Sequence, residues 1–184
     1  MNFAEGTFAG LAGEELALFQ SCLRGLNGQA VEIGCLDGFS TAHILDYSSL
    51  HLTSIDPFIP DSMAPSLIGS RARFDRNVAP WKDRSTLIAD YSWTVVGAWN
   101  TPLDFLFIDG DHQYPSVLRD VTEWTPHLKA AGILAMHDSR MPRPGGAPFH
   151  PGPSQVAAEL IYGRPEHWDI IGEAFSLTVA RKKP

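Results

Sequence analysis

The chain is poor in cysteine and in basic residues, and it has no long apolar run. Its two cysteines, Cys22 and Cys35, are too few for a disulfide framework in a domain of this size, so we expect both to be small buried residues. The 14 Lys and Arg against 21 Asp and Glu give a net charge of -7, which argues against a surface that coats nucleic acid or binds anionic membranes. No apolar stretch approaches a membrane span, and no signal-peptide pattern is present, so we expect a cytoplasmic location.

The length and composition are those of one globular domain. Of the 184 residues, 44% are hydrophobic and 19% are charged, which suffices for a single sizeable core. We therefore predict one domain over residues 1–184. It would begin with a helical lead-in over residues 1–28, and a loop rich in Pro and Gly over residues 139–154 would lie at the rim of a site.

Five short apolar runs predict buried strands that alternate with helical segments. The runs are AVEIG (30–34), LTSID (52–56), TLIAD (86–90), DFLFID (104–109) and ILAMHD (133–138). Apolar residues at helical spacing predict helices over 13–25 and 115–129, with Pro115 in the first turn of the second helix and Gly132 just beyond its end. This alternation indicates an α/β fold, in which a doubly wound and mostly parallel sheet carries helices on both faces.

The C-terminal segment has a different pattern. Two strand-like runs, 168–171 and 175–180, flank the residues Gly172, Glu173 and Ala174. This pattern predicts a hairpin with its turn at these three residues, so at least one antiparallel strand closes the sheet.

A carboxylate stands at or near the C-terminal end of each predicted parallel strand. These residues are Glu32, Asp56, Asp90, Asp109 and Asp138. Ligands of such sheets bind outside the carboxyl ends of the strands, so carboxylates that converge on one rim predict a binding site. The alternative is that most of them are caps and turns at an edge that faces solvent.

The first predicted strand is followed by the pattern E-x-G-x-x-x-G-x-S, which leads into a helix. Gly34 and Gly38 would let the backbone turn sharply and approach a ligand closely. Ser40 could cap the helix and place a hydroxyl at its positive end, where an anionic group is stabilised. The dinucleotide pattern G-x-G-x-x-G is absent, because Leu36 stands where its second glycine would be. This spacing disfavours a nicotinamide-dependent oxidoreductase.

In combination, the glycine loop, the acid that ends the second strand and the D-x-x-x-I-D that ends the fourth resemble class I S-adenosylmethionine-dependent methyltransferases. The likeness is strongest to the cation-dependent small-molecule O-methyltransferases, of both the catechol type and the bacterial sugar-modifying type. The resemblance implies a Rossmann-like sheet of seven strands, S-adenosylmethionine as cofactor, and methyl transfer to a hydroxyl of a small molecule that is a sugar or catechol-like.

The resemblance also implies which residues bind the cofactor. Glu32, Gly34, Gly38 and Ser40 would surround its methionine end, Asp56 would take the ribose hydroxyls, Asp90 and Ser92 would lie near the adenine, and Asp109 would lie beside the reactive end. Many relatives have a small or neutral residue where this chain has Asp37, which we expect to point outward and to which we assign no role.

A divalent cation, magnesium or manganese, is implied by the same resemblance. Its ligands would be Asp109, Asp138 and His137. A hydroxyl that is bound to such an ion loses its proton more easily. In sugar-modifying relatives the catalytic base lies two or three residues after the metal-binding Asp, which corresponds to Asp111 or His112. We favour His112, because an Asp beside a cation is a weaker base.

His137 stands where cation-dependent relatives have a carboxylate or an amide, and imidazole suits softer ions than magnesium. Three alternatives follow. The ion could be a softer one such as manganese, Ser139 or a water could fill the ligand position, or no metal binds and His137 is structural or catalytic.

Two alternatives to a cation-assisted O-methyltransferase also follow from the sequence. One is a metal-independent methyltransferase that acts on another atom, and the other is a non-catalytic cofactor-binding module of the same fold. The expected partner is a small-molecule methyl acceptor. Because the chain lacks the long N-terminal helical extension of many relatives, we also expect that a homodimer could close the cleft.

Overall fold

Apolar, β-branched and aromatic residues form seven strands in the computed structural model, which describes residues 1–60, 62, 65–140 and 150–184. The strands are β1 (Asn27–Ile33), β2 (Ser49–Ile55), β3 (Ser85–Ile88), β4 (Leu103–Ile108), β5 (Leu128–Met136), β6 (Trp168–Ala174) and β7 (Leu177–Lys182). They form one sheet in the order β3-β2-β1-β4-β5-β7-β6. Strands β1 to β5 run parallel, and β7 is antiparallel to both β5 and β6. The predicted sheet, mostly parallel with an antiparallel C-terminal hairpin, is confirmed.

Helices cover both faces of this sheet. They are α1 (Gly13–Leu23), α2 (Phe39–Tyr47), α3 (Arg71–Val78), α4 (Ser92–Val96), α5 (Tyr114–Trp124) and α6 (Pro151–Ala157). Alternate residues of β4 point to opposite faces. Phe105 and Phe107 pack with α1, α2 and α3, whereas Leu106 and Ile108 pack with α5 and α6. Each fully buried side chain of this kind stabilises the fold by about 1.5–3 kcal/mol relative to exposure.

Helix α5 ends five residues before its predicted end. It begins at Tyr114, with Pro115 in the first turn as expected, but it stops at Trp124 and continues as a short 3₁₀ turn over Thr125–His127. Pro126 lies in this turn, and proline has no N–H with which to continue the hydrogen bonds of an α-helix. The prediction that Gly132 caps the helix is wrong. Gly132 lies inside β5, where a Cβ would approach the Leu128 side chain to 2.9 Å.

The C-terminal hairpin also turns at a different place. Strand β6 continues through Gly172 to Ala174, and the turn consists of Phe175, which has a φ of 47°, and Ser176. A Cβ on Gly172 would lie 2.5 Å from a Leu18 methyl group, so the glycine provides room for α1. The prediction of a turn at residues 172–174 is therefore wrong, because Gly172 is needed for close packing of β6 against α1 and not for a turn.

The boundaries of the two terminal regions differ in detail from those predicted. Strand β1 already begins at Asn27, inside the expected lead-in of residues 1–28, and helix α1 is the helix before it. Helix α6 begins at Pro151, inside the loop expected over residues 139–154. Residues 141–149 of that loop lie outside the described residues.

The sheet order reverses between β1 and β4, which are neighbours although they are far apart in sequence. Gly34 follows β1 at this point with a φ of +83°, and a Cβ there would lie 2.1 Å from the carbonyl oxygen of Asp109. The backbones after β1 and β4 can approach so closely because residue 34 is a glycine. Ligands of doubly wound sheets bind in the crevice at such a reversal.

Candidate active site

A cavity of about 310 Å³ lies at this reversal, which is a volume suited to a small-molecule ligand. Its lining includes nine of the residues predicted from the sequence, namely Gly34, Ser40, Asp56, Ser92, Asp109, Asp111, His112, His137 and Asp138. Among the described residues, Glu32, Gly38 and Asp90 do not contribute to the wall. Nine of the twelve predicted residues, drawn from the cofactor, metal and catalytic groups, therefore share one cavity.

Asp56, at the end of β2, shapes the glycine loop that follows β1. One of its carboxylate oxygens accepts hydrogen bonds from the backbone N–H groups of Cys35 at 2.9 Å and Leu36 at 2.8 Å. The other oxygen accepts from the N–H of Phe58 at 2.7 Å. Leu36 has a φ of 43°, and these bonds hold it in that uncommon conformation. Asp56 thus lines the cavity and also orders its wall.

Glu32 anchors the start of helix α2 from a fully buried position. Its carboxylate accepts hydrogen bonds from the hydroxyls of Ser40 at 2.5 Å, Thr41 at 2.6 Å and Ser54 at 2.7 Å. Burial raises the pKa of Glu32 to about 7, against the opposing effect of these hydroxyls. The expectation that Ser40 caps α2 is wrong, because Gly38, with a φ of 79°, occupies the cap position and the Ser40 hydroxyl is used by Glu32.

Asp37 points inward, which corrects the expectation that it points outward. Its buried carboxylate accepts hydrogen bonds from the N–H groups of Ser70 at 2.8 Å and Phe8 at 3.2 Å. It also pairs with Arg73, whose Nε lies 2.9 Å away. Asp37 therefore joins the glycine loop to the start of α3 and to the N-terminal segment, where Phe8 lines the cavity.

The segment after β3 forms an aromatic part of the wall. The rings of Tyr91 and Trp93 stack with centroids 4.4 Å apart, and both line the cavity. Between them, the Ser92 hydroxyl donates a hydrogen bond to Asp120 of α5. Burial raises the pKa of Asp120 to about 7. Asp90 accepts a hydrogen bond from the N–H of Tyr91 at 2.7 Å, outside the cavity wall.

The carboxylates that follow β4 and β5 hold His137 between them. Its Nδ1 lies 3.1 Å from an oxygen of Asp109 and 3.4 Å from an oxygen of Asp138. Its Nε2 lies 3.7 Å from Glu15 of α1, beyond hydrogen-bond distance. Burial disfavours the charged imidazole, but the negative charges, that of Asp109 foremost, raise the pKa of His137 well above its usual value.

Asp138 is approached by two further histidines. The same carboxylate oxygen, Oδ2, lies 3.2 Å from Nε2 of His112 and 3.6 Å from Nε2 of His150. Although burial opposes ionisation, the hydrogen bond with His112 and the charge of His137 hold the pKa of Asp138 below its usual value. Its φ of 51° is a left-handed conformation that Asp tolerates better than most residues.

Asp111 is committed to hydrogen bonds at the turn before α5. It accepts from the hydroxyl of Ser62, from that of Ser116 at 2.6 Å, and from the N–H of His112 at 2.9 Å. Burial acts in the opposite direction, but these bonds hold the pKa of Asp111 below its usual value. Asp111 is therefore an ionised turn residue with little basicity.

The donor atoms of Asp109, His137 and Asp138 lie within 4.8 Å of one another, close enough for one ion. Two carboxylate oxygens and one imidazole nitrogen fit manganese better than magnesium, which prefers oxygen ligands throughout. The alternative of Ser139 as a ligand is wrong, because its buried hydroxyl donates to the carbonyl of Met136 at 2.8 Å.

Two residues of this site, Glu15 and Asp120, were missed in the sequence. Glu15 reaches the cluster from α1, and it has no local signal that reveals this contact. Asp120 does have one, because it occurs on the face of α5 that carries the buried Val117 and Trp124. A charged residue at a buried position of a helix is uncommon and indicates a specific partner.

Comparisons with known proteins agree with this architecture. The family described as "Methyltransferase domain" matches residues 31–139, more than half of the chain, so the protein belongs to that family. The resemblance drawn from the sequence is thereby confirmed. An uncharacterized protein of Acanthamoeba polyphaga mimivirus, R132, is 25% identical over 148 residues. The match covers 77% of this chain and 66% of that protein, slightly less than two thirds of its length.

Solved structures of O-methyltransferases share the fold. The O-methyltransferase NovP has a TM-score of 0.72 at 17% identity, with 92% of this chain and 79% of NovP covered. An O-methyltransferase from Bacillus cereus in complex with S-adenosylhomocysteine has a TM-score of 0.63 at 15% identity, with 94% and 82% covered. Within the described part of the chain, every helix is too short or too polar to cross a membrane.

Proposed function

We propose that this methyltransferase uses S-adenosylmethionine to methylate a hydroxyl of a small molecule, sugar or catechol-like, with the help of a divalent cation. The observation that carries the proposal is that one cavity contains both the glycine loop with its aromatic wall and the cluster of Asp109, His112 and Asp138. A cofactor in the first part would direct its methyl group towards the second. The bound S-adenosylhomocysteine of the B. cereus relative supports the choice of cofactor.

The cofactor would lie along the carboxyl ends of the strands. Its methionine end would face Gly34 and Ser40, its ribose hydroxyls would face Asp56, and its adenine would lie near Ser92, with Asp109 near the reactive sulfonium. Glu32 and Gly38 contribute by holding the loop in shape, since neither lines the cavity. Asp90 supports the aromatic wall through its bond to Tyr91.

His112 is the proposed base. It takes the proton of the acceptor hydroxyl, the oxygen attacks the methyl carbon, and the carbon–sulfur bond breaks to leave S-adenosylhomocysteine. Asp138, 3.2 Å from Nε2 of His112, orients the imidazole and stabilises its protonated form. Asp111 is a poor candidate because its oxygens are engaged and the pKa of Asp111 is lowered. A divalent ion held by Asp109, Asp138 and His137 would, when bound, favour loss of the hydroxyl proton.

Calorimetry followed by turnover tests this proposal. We expect the protein to bind S-adenosylhomocysteine and not NAD, and to produce S-adenosylhomocysteine from S-adenosylmethionine with at least one member of a panel of sugars and catechols. Turnover should fall with EDTA and return with manganese. Binding of the nucleoside without turnover of any acceptor would favour a non-catalytic module, and no binding at all would contradict the proposal.

Metal-independent methyl transfer is the second candidate. The observation in its favour is that His137 already lies between Asp109 and Asp138, whose charges raise the pKa of His137. Turnover that is insensitive to EDTA would select this alternative. The expected homodimer is a separate proposal, which light scattering at working concentration tests; a monomer there would remove it.

A further inference from the structure

We propose that His112, Asp138 and His150 form a second metal site, which binds a divalent transition-metal ion such as zinc or cobalt. Nε2 of His112, Oδ2 of Asp138 and Nε2 of His150 lie within 4.8 Å of one another. This group shares Asp138 with the cation position of the proposed function, but its two other ligands are different side chains, His112 and His150 in place of Asp109 and His137.

The distances between the donor atoms fit a common ion. Bonds of about 2.0–2.2 Å to zinc would place neighbouring donors about 3.3–3.6 Å apart in tetrahedral geometry. The observed separations from Oδ2 of Asp138 are 3.2 Å to His112 and 3.6 Å to His150. A hydrogen bond alone accounts for the first separation, but the second is too long for one. An ion requires only a small adjustment of both.

The ligand set has the chemistry of a transition-metal site. The rings of His112 and His150 lie face to face, with centroids 3.9 Å apart, and both direct Nε2 at the same carboxylate oxygen. Two imidazoles and one carboxylate suit zinc, cobalt or nickel and are poor ligands for magnesium. The side chains of His112, Asp138 and His150 are 12%, 13% and 26% exposed, so an ion can enter from the cavity and keep a position for water.

The backbone holds these ligands together before any ion binds. Gly152, two residues after His150, lies so close to the preceding turn that a Cβ would be 2.3 Å from the carbonyl oxygen of His112. The Ser154 hydroxyl donates to the carbonyl oxygen of Asp138 at 3.1 Å. The first turn of α6 is thus fixed against both other ligand residues. Ligands that are already in place lose little conformational freedom on binding.

Occupation of this site has a consequence that rests on the proposed function. An ion bound to Nε2 of His112 would replace the contact by which Asp138 orients the imidazole and stabilises its protonated form, so the ring would become a weaker base. We therefore expect zinc to inhibit methyl transfer, whereas manganese at the position of Asp109 and His137 would support it. The second site would then act as an inhibitory metal site within the cavity.

Titration with Co²⁺ tests the site directly, because its visible absorption reports ligand type and geometry. Because the two cation positions share Asp138, we expect the wild type to bind one Co²⁺ per chain with an intense visible band, and zinc to displace this ion in calorimetry. His150→Ala should weaken binding at least tenfold. Two controls should stay within about twofold of the wild type. His167→Ala removes a histidine with 61% side-chain exposure, and Asp109→Asn alters the other cation position.

Several outcomes would overturn the second site. These are a weak band typical of octahedral oxygen ligands, binding unchanged in His150→Ala, or an equal loss in Asp109→Asn. If His150→Ala does not fold, as judged by its circular dichroism, His150→Gln gives the same comparison with less change in volume. Calorimetry with S-adenosylhomocysteine on the same samples separates the two proposals, since failure of cofactor binding leaves the Co²⁺ result intact.

Discussion

Ser92 at the start of α4 donates a hydrogen bond to Asp120 in the middle of α5, and Asp120 is only 4% exposed. Burial raises the pKa of Asp120 from 3.8 to about 7, so the folded protein holds a proton that the unfolded chain has already lost. Stability from this group is therefore complete below pH 4 and decreases as the pH rises towards 7. One group changes the free energy of unfolding by at most about 1.4 kcal/mol per pH unit.

Asp120→Asn should make the stability less dependent on pH in this window, because the amide does not titrate. Urea unfolding at pH 4.5, 5.5, 6.5 and 7.5 measures the free energy of unfolding of the variant and of the wild type. The contributions of the other carboxylates cancel in the difference between the two. The variant should gain stability relative to the wild type as the pH rises. Asp83→Asn, at an exposed position, is the control and should leave the slope unchanged. Parallel curves for Asp120→Asn and wild type would contradict the assignment.

Gly34 and Gly25 form a matched pair that separates backbone strain from crowding. Their φ angles are +83° and +79°, but only at Gly34 would a Cβ meet a neighbour, the carbonyl oxygen of Asp109 at 2.1 Å. Gly25→Ala should cost about 1–2 kcal/mol in the free energy of unfolding, which is the strain of a left-handed residue. Gly34→Ala should cost at least about 3 kcal/mol, because the strands β1 and β4 must also separate. Chemical denaturation of both variants measures these losses in the free energy of unfolding. Equal losses would contradict the prediction, because they would show that the contact with Asp109 does not destabilise Gly34→Ala.

Glu32 should be essential for the shape of the cofactor loop. Glu32→Ala leaves the buried hydroxyls of Ser40, Thr41 and Ser54 without their acceptor, so we expect a loss of about 2–4 kcal/mol of stability. The affinity for S-adenosylhomocysteine should fall with it. Glu32→Gln keeps one acceptor oxygen and should be less harmful in both measurements. Thermal melting and calorimetry check that Glu32→Ala loses more stability and more affinity than Glu32→Gln does. Glu14→Ala, at an exposed position of α1, is the control.

The fold was accessible from the sequence because short apolar runs and the residues at their ends are local signals. The order of strands and helices, the antiparallel hairpin and the start of α5 near Pro115 all follow from such patterns. The errors occurred where one residue type serves two purposes. Glycine is typical of turns, but Gly132 and Gly172 both lie inside strands, where each leaves room for a neighbouring leucine side chain.

The candidate site was accessible only in part, for a related reason. The acids that end the strands are visible in the sequence, and Asp109 and Asp138 meet because parallel strands end at one edge. The contacts that decide their chemistry come from distant segments. Glu15 lies 122 positions before His137, and no local pattern predicts that they are 3.7 Å apart.

His112 and Asp111 are adjacent candidates for the base, and the structure supports a clear difference between their variants. His112→Ala should lower kcat by about 10²–10⁴-fold, because it removes the group that accepts the proton. Asp111→Asn should lower kcat less than about tenfold, since that carboxylate serves the hydroxyls of Ser62 and Ser116. Single-turnover methyl transfer with saturating acceptor measures both rates. Calorimetry with S-adenosylhomocysteine is the control and should show unchanged affinity in each. If Asp111→Asn were the slower enzyme with its cofactor affinity intact, the base would be Asp111, and His112 would only position the substrate.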